Sequence, residues 1–337
     1  MNPTNFAKYL TGFLSTYLSG QKNASKNTIY AYRDTFKLLL KYCQEVKGIA
    51  IECISMDLLT TALIKDFLTW LEYERKCSIT TRNQRLASIH SFFRYVQAED
   101  PTGIYHFQQM ISIPVKKAKK KVVEHLLPEA MKLILVQPDK SSTKGRRDLT
   151  LLSVLYDTGA RVQELIDIKV CDVTLDSLPV IALTGKGNKV RRVPLMKNTV
   201  TLLRTYLSEN DLKKQWKNQY PVFINNQHNK LTKEGIAYIL SKYVKMARAT
   251  SLIVPEHVSP HVLRHSKAMH LLQAGVNLIY IRDFLGHVDL KTTEIYARID
   301  TETKRKAIEN AYSGIIDSEI PDWGKDKKLL SWLSDLK

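Results

Sequence analysis

The stretch Pro260-His261-Val-Leu-Arg264-His265, followed by Leu285-Gly286-His287 and Thr292-Thr-Glu-Ile-Tyr296, decides how the rest of the chain is read. Leu263 to Gln273 has helical spacing and runs out before Gly275, which places His261 and Arg264 near a helix N-terminus, where anions are favoured. Asn277 to Leu285 predicts a second, short helix that Gly286 stops just before His287. Asp289 is positioned to cap a third, over Leu290 to Tyr296. Helix boundaries therefore fall on residues able to handle a phosphate.

The residue types fit attack on a phosphodiester. A phenol ordinarily titrates at about 10, so Tyr296 is a useful nucleophile only where the charge developing on it and on phosphorus is stabilised. Guanidiniums stay charged and offer planar, bidentate hydrogen bonds to phosphate oxygens. Arg264, and Arg161 in Thr158-Gly-Ala-Arg161, suit that role. Val180 to Thr184 and Val190 to Pro194 flank Gly185-Lys186-Gly-Asn188, the pattern of a β-hairpin. Lys186 at its tip is a candidate general acid for a leaving 5′-oxygen, and His261 and His287 can donate hydrogen bonds or move protons. No cluster of Asp and Glu marks a phosphate-metal site, so metal-free chemistry without a cofactor is expected. His257, His261, His265 and His270 raise a metal alternative at helical spacing. Arg264 between two of them would repel a cation, and His265 and His270 read as structural.

Composition sets the frame. A chain of 337 residues is long for one core and points to two domains, and 44% apolar residues mark it as folded. Lys and Arg outnumber Asp and Glu by 51 to 33, a formal charge of +18 that implies a polyanionic partner, nucleic acid first. The four cysteines show no paired spacing and read as free thiols of a reducing cytosol. No signal peptide is visible and no run of about 18 apolar residues occurs, so no membrane partner is expected.

Residues 1–110 read as helical. Ile29, Tyr32, Phe36, Leu39 and Cys43 recur on one face behind a cap at Ser25 or Asn27; Leu63, Phe67 and Leu71, then Leu86, Ile89, Phe93 and Val96, form further stripes. Lys26, Tyr30, Arg33, Arg82, Asn83 and Arg85 lie on the polar faces as candidate phosphate contacts. Residues 111–125 read as an extended basic linker in which Lys116, Lys117, Lys119, Lys120 and Lys121 would follow a DNA backbone. A second domain begins at Leu126.

Taken together, Thr158-Gly-Ala-Arg161-Val-Gln-Glu164-Leu165, Gly185-Lys186-Gly-Asn-Lys-Val-Arg191, His261-Val-Leu-Arg264-His265, Leu285-Gly-His287 and Thr292-Thr-Glu-Ile-Tyr296 resemble the tyrosine recombinase (phage integrase) family, Xer-like or transposon-encoded members above all. The resemblance covers residues 126–300. It implies a mainly α fold with a small antiparallel sheet: a helical, SAM-like core-binding domain over 1–110 and a mixed α/β catalytic domain over 126–312, closing as a C-shaped clamp on duplex DNA. Residues 313–337 would be a tail whose Leu329, Leu330, Trp332 and Leu333 dock on a neighbouring protomer or, alternatively, pack against their own domain. Tyr296 would form a 3′-phosphotyrosyl bond, with Arg161, Lys186, His261, Arg264 and His287 completing the site and Glu164 supporting Arg161. The implied partners are inverted-repeat DNA sites and a homo-tetramer exchanging strands through a Holliday junction, in a bacterial cytosol at the nucleoid. Integration, excision or transposition of a mobile element is the expected task. Chromosome or plasmid dimer resolution, type IB-like topoisomerase action and non-enzymatic DNA binding are the alternatives.

Overall fold

The computed structural model describes residues 3–118, 124–287, 293–296 and 327–335, with the side chains of Lys186 and of residues 327–330 left outside that description. The chain divides into two compact units, Met1–Lys121 and Val122–Lys337.

The first unit is helical. α1 (Asn5–Thr11), capped by the Thr4 side chain, runs into π-type turns over Gly12–Gln21. There follow α2 (Lys26–Glu45), α3 (Thr61–Tyr73), α4 (Ile79–Glu99) and α5 (Ile104–Ile111). Ser25, Thr60 and Ser78 each accept the third backbone N–H of the helix they precede, which fixes the three starts. The apolar stripes meet in an aromatic core where Phe13, Phe36 and Phe92 pack edge to face, with Phe36 and Phe92 centroids 4.9 Å apart.

The second unit is built around α7 (Thr143–Thr158), which buries Leu149, Leu151, Leu152, Val154 and Leu155. Asp148, Thr150, Ser153, Asp157 and Thr158 are buried beside them, so α7 lies inside its domain, with α9 (Lys197–Glu209) and α11 (Pro260–Gln273) as its main neighbours. α6 (Pro128–Leu135) and α10 (Lys233–Thr250) add to the same core. A three-stranded antiparallel sheet, in the order β1 (Val173–Thr174), β2 (Val180–Thr184), β3 (Val190–Pro194), packs Ile181, Leu183 and Val193 inward. The two long strands occupy the expected ranges; β1, with two residues, is too short to carry a periodic signal.

Gly159 ends α7 at φ +56°, and a Cβ there would meet Leu285 Cδ2 at 2.9 Å. That left-handed turn sends the chain through Ala160 to Arg161, which caps α8 (Val162–Asp167). α12 (Leu278–Leu285) is capped by the Asn277 side chain and stopped by Gly286 at φ +65°. Ala268, Met269 and Leu272 of α11, Ile281 and Leu285 of α12, and Tyr296 share a small core of their own. Residues 293–296 are helical; the expected Asp289 cap lies outside the described residues. The last described element is α13 (Lys327–Asp335), with Trp332 and Leu333 exposed.

Candidate active site

The C-terminal end of α12 gathers three guanidiniums. Arg191 Nε donates to the Phe284 carbonyl (2.9 Å), Arg264 Nη2 to the Leu285 carbonyl and Arg161 Nη2 to the Gly286 carbonyl (3.4 Å). The last carbonyls of a helix have no partner within it and carry the negative end of its dipole, so cations are stabilised there. Arg264 Nη1 also donates to the Gly159 carbonyl at 2.7 Å, tying the end of α7 to the end of α12.

Glu164 balances this cluster. Its Oε1 accepts from Arg161 Nη1 (2.6 Å) and Arg191 Nη1 (3.0 Å), and its Oε2 from the Arg161 backbone N–H (2.8 Å) and Arg191 Nη2 (2.7 Å). Arg264 Nη1 lies 3.9 Å from Oε2. Burial alone would push this carboxyl up; hydrogen bonds and charge from Arg191 and Arg161 outweigh it and hold the group at about 2. Glu164 therefore stabilises the fold fully above its ordinary value of 4.5, and that contribution is lost as pH falls towards 2, amounting to at most about 3 kcal/mol. Urea midpoints measured from neutral pH downward are expected to show the gap between the native chain and Glu164→Gln narrowing across this window. A gap independent of pH would contradict the assignment.

Burial, then Arg161 and Arg191, depress the Arg264 guanidinium to about 10 against the opposing pull of Glu164, so it stays charged at neutral pH. Burial, with Arg264, Arg161, His265 and Arg191 adding, drives His287 down to about 4, so its ring is neutral. His287 Nδ1 pairs with Thr293 Oγ1 at 2.9 Å and its ring stacks on Tyr296, centroids 6.5 Å apart. Tyr296 is 1% exposed; burial pushes its phenol up to about 12 while Arg264 and Arg161 pull it down. His261 is exposed in the first turn of α11.

Arg161, Arg264, His287 and Tyr296 thus come together. An open cleft of about 510 Å³, lined by Arg161, Lys189, Arg191, Arg282, Gly286 and His287 among others, adjoins them. Lys186 belongs to the turn that joins β2 and β3; its side chain is outside the described residues.

Two residues of the cluster were not singled out by sequence reasoning. Arg191 alternates on β3 in phase with buried Val193, and a charged residue in an inward register is a legible sign of a buried ion pair. His265, read as structural, has its Nδ1 2.7 Å from the Tyr296 hydroxyl. It follows His261 by one helical turn, so both share a face of α11. His270 links the Tyr156 hydroxyl (2.8 Å) to the Leu126 carbonyl (2.8 Å).

The DNA-contact candidates divide. Lys26, Tyr30 and Arg33 lie exposed along α2, with the Arg33 guanidinium 4.9 Å from the Tyr30 ring centroid. Arg82, expected on a polar face as a phosphate contact, is instead buried: it is 6% exposed and ion-paired to Glu72 at 3.3 Å. Asn83 holds the backbone of Lys116 through both amide atoms, and Arg85 donates to the Ala31 carbonyl and Thr35 Oγ1. Lys116 and Lys117 are exposed; Lys119, Lys120 and Lys121 lie outside the described residues.

Residues 113–303 match the phage integrase family, and residues 10–100 match the phage integrase N-terminal SAM-like domain. A protein of Sinorhizobium fredii described as a candidate integrase/recombinase, y4rC, is 34% identical over 335 residues, 98% of this chain and 98% of that one. The tyrosine recombinase XerD of Listeria monocytogenes is 32% identical over 286 residues, 84% of this chain and 91% of its own. Among solved structures, XerH site-specific recombinase in a post-cleavage complex with palindromic difH substrate aligns over 89% of this chain and 84% of its own, at TM-score 0.67 and 23% identity. The Tn1549 transposon integrase with a circular intermediate DNA aligns over 90% and 99%, at TM-score 0.70 and 17% identity. At these identities the structural likenesses establish the fold.

Proposed function

Since the chain belongs to the phage integrase family, whose tyrosine recombinases cleave and rejoin DNA in site-specific recombination, we propose that Tyr296 is its nucleophile and that Arg161, Lys186, His261, Arg264 and His287 complete the site. The observation that carries this reading is the Tyr296 phenol held between His287 and His265, which directly follows Arg264 on α11, with Arg264 and Arg161 both facing Glu164. Tyr296 Oη bonds to phosphorus and the bond from phosphorus to the 5′-oxygen breaks, leaving a 3′-phosphotyrosyl link. Arg161 and Arg264 stabilise the non-bridging oxygens, the departing 5′-oxygen takes a proton from Lys186, and rejoining reverses each step.

Residues 1–110 act as the core-binding domain, with Lys26, Tyr30 and Arg33 on phosphates. Residues 111–125 are the basic linker, 126–312 the catalytic domain and 313–337 the tail. A tetramer on inverted-repeat DNA exchanges strands through a Holliday junction, and Trp332 and Leu333, exposed on α13, dock on a neighbouring protomer. The task is integration, excision or transposition of a mobile element, a reading supported by the full-length match to the Sinorhizobium integrase/recombinase. Chromosome or plasmid dimer resolution is the second reading, and the likeness to a tyrosine recombinase, XerD, is compatible with either.

Nicked suicide duplexes with a randomised core test this. Covalent capture, followed by Holliday-junction formation on the captured sites, is expected. Capture without junctions indicates topoisomerase-like chemistry, and no capture at all would overturn the proposal. Captured inverted repeats flanking the gene favour a mobile element, whereas one chromosomal site favours dimer resolution.

A further inference from the structure

We propose that His265 is the base that takes the Tyr296 proton during cleavage and returns it on rejoining, an inference that rests on Tyr296 being the nucleophile. The phenol has to lose its proton as its oxygen bonds to phosphorus, and among the described residues the hydrogen bond it makes is to His265 Nδ1, at 2.7 Å. The other two histidines are placed for different work. His287 Nδ1 is engaged by Thr293 Oγ1 and its ring lies nearly parallel to Tyr296 with centroids 6.5 Å apart, and His261 is exposed in the first turn of α11.

The surroundings keep His265 ready to accept. Burial comes first, then His261 and Arg264 on its own helix, in depressing its basicity, and His287 with Arg161 and Tyr296 face the same pocket from the other elements. A neutral imidazole with bare Nδ1 can accept the proton only by becoming a cation among guanidiniums. An incoming phosphodiester supplies the anion that makes this favourable, so proton transfer is coupled to the presence of DNA. The Oη–H bond breaks with its proton passing to Nδ1, and the Oη–P bond forms. The P–O5′ bond breaks with its electron pair on the 5′-oxygen.

The tautomer and the pH profile test this in the full chain. Without DNA, nitrogen NMR of the imidazoles is expected to show an unprotonated Nδ1 on His265 whose signal shifts in Tyr296→Phe. A protonated Nδ1 would make His265 the donor and overturn the proposal. On duplexes captured by the native chain, His265→Asn keeps a hydrogen-bonding group at the Nδ1 position but cannot take the proton. Its cleavage is expected to fall about 10²-fold at neutral pH and to climb with pH where the native rate levels off. The same loss at every pH, or no loss, would reduce His265 to a structural support. Failure of the parent reading looks different: Tyr296→Phe would still form adducts.

Discussion

Tyr296→Phe is expected to give a folded protein that forms no covalent complex with DNA. The substitution removes one oxygen from a ring that is 1% exposed and packed among Ala268, Met269, Leu272, Ile281 and Leu285. Those contacts survive. The loss is the hydrogen bond to His265, and a neutral hydrogen bond contributes about 0.5–1.5 kcal/mol. A shift of that size in the urea midpoint, beside complete loss of adduct on gels, separates chemistry from folding. An adduct that persists would place the nucleophile elsewhere, and a collapsed midpoint would mean the hydroxyl is structural.

Arg264 carries the second large effect. Its side chain is 5% exposed and spans the Gly159 and Leu285 carbonyls. Arg264→Ala leaves both acceptors buried without it, at about 1–3 kcal/mol each, and strips the pocket of a fixed positive group. Removing one such preorganised donor typically slows the chemical step about 10²–10³-fold. Arg264→Lys discriminates between the two roles. It keeps the charge but cannot bridge both carbonyls and a phosphate together, so most of the rate loss is expected with less of the stability loss. Single-turnover cleavage and urea midpoints on the same samples measure both, and native-rate cleavage by Arg264→Lys would contradict the role given to the fork.

Much of this was legible locally. The β2–β3 hairpin follows from alternation around Gly185 to Asn188, and the helix ends at Ser25, Asn277, Gly159 and Gly286 follow from capping chemistry that acts within a few residues. Tyr296, His287, Arg264 and Arg161 were each recognisable in their own motifs. What no local pattern contains is the convergence of Arg161, Arg191 and Arg264 on the last carbonyls of α12, because those partners are distant in the chain. Arg82 misled for a related reason: a polar position on α4 does not reveal that Glu72 from α3 will bury it. The type and spacing of His265 fit a structural histidine, and only the fold sets it against the phenol.

The most direct measurement is tandem mass spectrometry of the peptide left on DNA after capture on a suicide duplex. A peptide carrying Tyr296 joined through a 3′-phosphate is the expected product. Attachment at any other residue, or through a 5′-phosphate, would contradict it.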